Sequence, residues 1–142
     1  MNPFQSLSEY EAFIYTLQQQ YPSIERSTLV VARRGRGVAT LTGELLFADG
    51  YRLVVYEILT WDTGQVVIQR YSYELWRGSE KLYWYDPQPH PSDPSLASTA
   101  PHHKHTPPDI KHNRAPAPGL SFDKPNLPFL IEEIQHQLPE TS

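Results

Sequence analysis

The stretch that decides the fold of this chain runs from residue 38 to residue 61 and reads VATLTGELLFADGYRLVVYEILTW. Two runs rich in β-branched and aromatic residues, 38–47 and 52–61, flank the pair Asp49-Gly50. An Asp-Gly pair between two such runs is a strong signal for a tight antiparallel hairpin. The stretch therefore predicts the central hairpin of an antiparallel sheet.

Three more β-rich runs lie on the two sides of this hairpin, at residues 27–32, 65–76 and 81–85. Only short turns connect the five runs. Sequential strands with short connections pair antiparallel, because a parallel pair needs a long crossover. The sequence therefore predicts a five-stranded antiparallel β-meander.

Apolar residues at helical spacing predict one helix before the sheet and one after it. Ser6 and Ser8 each stand three residues before a glutamate, as in a capping box, and Pro22 ends the first helix. The last helix is predicted over residues 126–138, with Asn126 as its cap. The fold class is therefore α+β, with the N-terminal and C-terminal helices packed on the meander.

Eleven of the 14 prolines fall between residues 87 and 128. The segment 87–125 is also crowded with His, Ser and Ala, which bury too little apolar surface to offset backbone entropy. It is predicted to be a long Pro/His-rich loop. Residues 1–142 are predicted to form a single domain, in which helix and sheet (1–86) are followed by this loop and by the C-terminal helix.

The composition excludes several classes of protein. The net charge of −4 argues against a bulk polyanion binder, although a local basic patch is still allowed. The absence of cysteine excludes disulfides and thiolate chemistry. The N-terminus has no signal-peptide pattern and no apolar run is long enough to span a membrane, so a cytoplasmic protein is expected.

Histidine gives the most concentrated chemical signal. Five of the six histidines lie in the Pro/His-rich segment: His90, His102, His103, His105 and His112. In an extended backbone His103 and His105 point to one side, and His102 and Lys104 to the other. Such a pair of imidazoles suits general acid and base catalysis on a phosphodiester, or metal binding, and a solvated loop is the third interpretation. The spacing matches no closed structural zinc pattern, so no metal or other cofactor is assigned.

Aromatic residues concentrate on two paired strands, where Tyr71 and Tyr73 face a run that contains Tyr83, Trp84 and Tyr85. Such cross-strand aromatics usually stabilise a sheet. When exposed, they can stack on unpaired RNA bases. Asp86 follows directly and can orient an imidazole from the loop.

A third candidate is the turn Arg33-Arg34-Gly35-Arg36-Gly37. Arginine forks match phosphate oxygens, and glycine lets a backbone approach a phosphate closely. The alternative is an ordinary solvated turn.

Several of these pieces, taken in order, resemble the TumE family. They are QRYSYEL at 69–75, LYWYD at 82–86, His90, and PHHKH at 101–105, and the resemblance spans roughly residues 29–138. It implies a small cytoplasmic toxin of a type II toxin–antitoxin system, neutralised by a cognate helix-turn-helix antitoxin.

The leading hypothesis is a toxin that binds RNA and cleaves it without metal. The predicted catalytic residues are His103, His105, Lys104, Tyr85, Asp86 and Tyr73, and the predicted RNA-binding residues are Arg33, Arg34, Arg36 and His90. The ribonuclease activity is inferred from the histidines and tyrosines and not from the family. The alternative is a non-enzymatic protein-interaction module with a His-rich, metal-sensitive loop. An exposed edge of the meander also allows a homodimer.

Overall fold

The computed structural model describes residues 2–62 and 64–138 and shows an α+β protein with an antiparallel eight-stranded sheet. The fold class and the antiparallel pairing are confirmed, whereas the predicted count of five strands is wrong. The strands are β1 (Ile24–Ser27), β2 (Val30–Gly35), β3 (Val38–Phe47), β4 (Tyr51–Thr60), β5 (Val67–Arg77), β6 (Glu80–Asp86), β7 (His103–His105) and β8 (Arg114–Pro116). The helices are α1 (Leu7–Tyr15), α2 (Leu17–Gln20) and α3 (Leu127–Gln135), with short 3-10 turns at Pro3–Gln5, Ala48–Gly50 and Pro94–Thr99.

The central hairpin forms as predicted, with β3 paired to β4 along its length. One extra strand, β1, lies almost wholly before the predicted strand at 27–32, whereas β2 begins within that run and extends to Gly35; both pair with β3. The carbonyl oxygen of Thr28 would be only 2.5 Å from a Cβ on Gly43. Glycine at position 43 of β3, with its φ of +136°, allows the backbone at Thr28, between β1 and β2, to approach β3 closely.

The segment 87–125 is not the structureless loop that its composition predicts. It contains the turn Pro94–Thr99 and the strands β7 and β8, which extend the sheet beyond β6 in the order β6-β7-β8. Buried Leu96 and Leu120 anchor it. In β7 and β8, strand pairing provides partners for backbone polar groups without requiring a large apolar surface.

The hydrophobic core lies between one face of the sheet and the helices α1 and α3. The side chain of Ser6 accepts a hydrogen bond from the Glu9 backbone N–H, which confirms the predicted cap of α1. Asn126 stands at the N-cap of α3 as predicted, but its side chain makes no capping hydrogen bond; the buried amide instead donates to the Tyr73 hydroxyl and to the Ser121 carbonyl. Asn126 therefore ties α3 to the sheet.

Glu57 is a buried acid inside this core. Its carboxylate accepts hydrogen bonds from the hydroxyls of Tyr10, at 2.6 Å, and Tyr73, at 2.5 Å. Burial raises the pKa of Glu57 to about 7, and the two tyrosine hydrogen bonds oppose that rise. The same burial and the nearby Glu57 charge raise the pKa of both tyrosines.

The alternation along β6 decides where the functional side chains go. Tyr83 and Tyr85 belong to the core, so Trp84 and Asp86 point from the opposite face of the sheet. Trp84 pairs with His105 and Asp86 pairs with His103 in the register of β6 and β7. The histidines therefore lie on the outer face of the sheet.

Candidate functional site

The pairing of β6 with β7 brings one carboxylate and two imidazoles together on the outer face. The Nε2 atom of His103 lies 3.0 Å from Asp86 Oδ1, and the Nε2 atom of His105 lies 3.0 Å from Asp86 Oδ2. The two Nε2 atoms are themselves 3.0 Å apart. We call these three residues the His₂Asp cluster. The cluster could hold a metal ion, because its donor atoms converge within 4.8 Å of one another.

The surroundings fix each member of the His₂Asp cluster. His103 and His105 are only 1% and 3% exposed. His103 Nδ1 lies 3.1 Å from the carbonyl oxygen of Pro101, and the ring of His105 stacks on Trp84 with centroids 4.2 Å apart. Asp86 Oδ1 also accepts a hydrogen bond from the Gln88 backbone N–H at 2.8 Å. The three side chains are therefore held in place before any ligand binds.

Two cavities border the His₂Asp cluster on the outer face. The first, of about 630 Å³, reaches Asp86 and is lined by Tyr56, Arg70 and Trp84 among others. The second, of about 480 Å³, reaches His103 and is lined by residues 88–91 and by the 3-10 turn. Each cavity therefore reaches one member of the buried cluster, Asp86 on one side and His103 on the other.

The second cavity includes His90, a predicted RNA-binding residue. The His90 ring meets the His103 ring edge-on, with centroids 4.7 Å apart. Partial desolvation lowers the pKa of His90, and the positive charge of Arg114 lowers it further. Arg114 pairs with His105 in the register of β8, so a cation stands beside the cluster.

His102 lies next to the cluster but makes different contacts. Its Nδ1 is 2.6 Å from the Tyr71 hydroxyl, and its ring packs against Phe122. Burial lowers the pKa of His102, and the neighbouring His103 adds to the effect. His112 lies apart, exposed and paired with Asp109 at 3.1 Å.

The structure does not bring Tyr73, Tyr85 and Lys104 to the cluster. Tyr73 is completely buried beside Glu57, and Tyr85 donates its hydroxyl to Glu133 on α3. The expectation that both are exposed for stacking on bases is wrong, because they face the core. Lys104 points away from the imidazoles, as strict alternation predicts, and its ammonium lies 3.3 Å from Glu133 and 4.1 Å from the Tyr83 ring centroid.

The arginine turn lies at the other end of the sheet order. It joins β2 to β3, and strands β4, β5 and β6 separate β3 from β7. Arg33 pairs with Glu11 on α1 at 2.7 Å, and Arg34 donates to the Thr40 hydroxyl. Arg33, Arg34 and Arg36 therefore do not contribute to the surface around the cluster.

The residues that the predicted site did not include are Tyr56, Arg70, Trp84 and Arg114, although Trp84 is one of the predicted cross-strand aromatics. The first three alternate with core residues on β4, β5 and β6. The period-two pattern therefore predicts that they lie on the outer face, once the core face is assigned correctly. Arg114 gave no comparable signal, because β8 is three residues long and includes Pro116.

The fold and the cluster together define an α+β protein with a preformed polar centre on the outer face of its sheet. The family model for toxin TumE matches residues 14–138, and the chain belongs to the TumE toxin family. Comparisons with curated proteins and with solved structures found no match. Within the described residues, each helix is too short or too polar to cross a lipid bilayer.

Proposed function

We propose that this toxin arrests growth by binding single-stranded RNA on the outer face of the sheet and cleaving it at the His₂Asp cluster. The observation that carries the proposal is the cluster itself, with two buried imidazoles and one carboxylate in mutual contact between two open cavities. Removing polar groups from water costs free energy, and clusters of buried polar groups are typical of functional sites.

The lining of the first cavity supports RNA as the substrate. Tyr56 is 39% exposed and offers a ring face to an unpaired base, and Trp84, which is stacked on His105, lies partly exposed in the same cavity. Arg70 is exposed in the same cavity, and Arg114 stands on the other side of the cluster. Proteins that bind single-stranded nucleic acids combine aromatic side chains, which stack on the bases, with cations, which contact the phosphates. A local surface of this kind is compatible with a net negative charge on the whole protein.

The spacing within the cluster limits how it can act on a phosphodiester. An in-line displacement places the attacking and leaving oxygens on opposite sides of phosphorus. Two nitrogens 3.0 Å apart cannot serve both oxygens as separate base and acid. His103 and His105 therefore act together with Asp86 at one oxygen, and His90 and Arg114 contact the phosphate from outside the cluster.

The antitoxin is part of the same proposal. Membership in a toxin family calls for an antitoxin that protects the producing cell. We take this partner to be the helix-turn-helix protein that the family resemblance implies. A partner that covers the two cavities would block access to the cluster.

The test is growth arrest and RNA cleavage by matched variants. Replacing His103 and His105 together with alanine should abolish arrest of an inducible culture and cleavage of a labelled single-stranded RNA. Asp86→Asn, which keeps the size and polarity of the side chain, should have the same effect. His112→Ala is the matched control, because this histidine is exposed and separate from the cluster.

Circular dichroism and thermal melting of each purified variant establish that it is folded. If the folded double variant arrests growth and cleaves RNA as the wild type does, the proposal is wrong. Tight RNA binding by the wild type without turnover would also reject it, and would favour a non-enzymatic interaction module.

A further inference from the structure

We infer that Asp86, His103 and His105 bind one divalent transition-metal ion such as Zn²⁺. Two imidazole nitrogens and one carboxylate oxygen are the protein ligands of open, catalytic zinc sites, which keep a further position for water or substrate. The binding of the ion stands on its own, whereas its use in catalysis rests on the proposed ribonuclease function.

The distances match those between ligands of one metal. Nitrogens bound at about 2.1 Å are about 3.0 Å apart at octahedral angles and about 3.4 Å apart at tetrahedral angles. The two Nε2 atoms are 3.0 Å apart, and each is 3.0 Å from an oxygen of Asp86. The three donors therefore surround one point at the spacing that a bound ion imposes.

The tautomer of His103 gives a second, independent reason. The carbonyl oxygen of Pro101 can only accept, so the Nδ1 atom 3.1 Å away carries a proton. In the neutral ring the lone pair of Nε2 then points at the Asp86 carboxylate. Histidines that ligate metals usually donate their other N–H to a carbonyl or carboxylate in this way.

Neutral imidazoles beside an ionised carboxylate leave a repulsive contact in the cluster. With neutral imidazoles and an ionised carboxylate, the contact between His103 Nε2 and Asp86 Oδ1 joins two lone pairs at 3.0 Å. Either an additional proton or a cation at the centre relieves that repulsion. A metal ion satisfies all three donors at once, whereas one proton lies between only two of them.

A bound ion would supply the nucleophile of the proposed reaction. The ion lowers the pKa of a coordinated water to about 7 and so provides hydroxide at neutral pH. This hydroxide forms the new bond to phosphorus, the bond from phosphorus to the leaving oxygen breaks, and that oxygen takes the proton released by the water. The reaction is then hydrolysis, and it consumes one water per cleaved bond.

The direct test is metal binding by the full-length protein. Protein stripped with a chelator should take up one equivalent of Zn²⁺ in calorimetry, with a rise in melting temperature. Co²⁺ in place of Zn²⁺ should give visible absorption bands typical of a site with nitrogen ligands. His105→Ala and Asp86→Asn should each weaken Zn²⁺ binding at least about tenfold, and His112→Ala should not.

The Co²⁺ spectrum of the wild type keeps the test decisive even if a variant fails to fold. The inference is overturned if stripped wild type binds neither ion, or if folded His105→Ala binds Zn²⁺ as tightly as the wild type. RNA cleavage by fully stripped protein in excess chelator would overturn the catalytic use of the ion. A loaded protein that cleaves no RNA would reject the proposed function and leave the metal site intact.

Discussion

The buried carboxyl group of Glu57 allows a quantitative prediction of how the free energy of unfolding depends on pH. Burial raises the pKa of Glu57 from an ordinary value near 4.5 to about 7 in the folded protein. Between these two values the unfolded chain binds fewer protons than the folded one, so the free energy of unfolding falls as the pH rises. The difference in pKa corresponds to a loss of about 3 kcal/mol, which is complete above about pH 7.

Glu57→Gln removes this loss because the amide carries no charge. The introduced amide can accept a hydrogen bond from one tyrosine hydroxyl and donate to the other, since Tyr10 and Tyr73 contact different oxygens of the carboxylate. The stability of the variant relative to the wild type should therefore rise by about 3 kcal/mol between pH 4.5 and pH 8. The other titrating groups contribute equally to the free energy of unfolding of both proteins, so their contributions cancel in the difference between variant and wild type.

The assay is urea unfolding followed by tryptophan fluorescence at several pH values between 4.5 and 8. Glu25→Gln is the control, because Glu25 is exposed and its substitution should give a curve parallel to that of the wild type. A stability difference between Glu57→Gln and wild type that stays constant over this range would refute the reasoning.

Three further predictions concern the backbone, the inner face and the outer face. Gly43→Ala should cost several kcal/mol in urea unfolding, and more than Gly78→Ala, because a Cβ at 43 meets the Thr28 carbonyl oxygen at 2.5 Å whereas the space at 78 is open. Lys104→Met should leave growth arrest intact and cost about 1 kcal/mol or less, since its ion pair is partly exposed and lies on the core side of the sheet; loss of arrest by the folded variant would contradict the assigned face. Arg114→Gln in a His105→Ala background should weaken binding of single-stranded RNA and reduce the salt slope of the binding constant by about one, as measured by fluorescence anisotropy at several salt concentrations; an unchanged slope would exclude a phosphate contact.

The sequence allowed the central part of the fold to be predicted because local rules act there without competition. The Asp-Gly pair at 49–50 and the alternating runs on both sides agree on one hairpin. The helical stripe of α1 and its Ser6 cap are equally local. The two small strands β7 and β8 could not be predicted in this way, since their pairing depends on the edge of β6.

The candidate site was predicted in part for a similar reason. Alternation alone places His103 and His105 on one side, and Asp86 ends the strand that β7 joins. Whether that side faces Tyr85 or Trp84 depends on the register, and a shift by one residue exchanges the two faces. The tyrosines were therefore assigned to the site, although Trp84 occupies that position.

The order in which the site is encoded has a consequence for protein synthesis. Asp86 ends β6, but both histidines belong to β7, and α3, which packs on the core beneath β6, follows still later in the chain. A nascent or prematurely terminated chain that stops before residue 103 therefore carries one ligand of the cluster and neither imidazole. Under the proposed function such a product could not cleave RNA, and we expect it not to arrest growth.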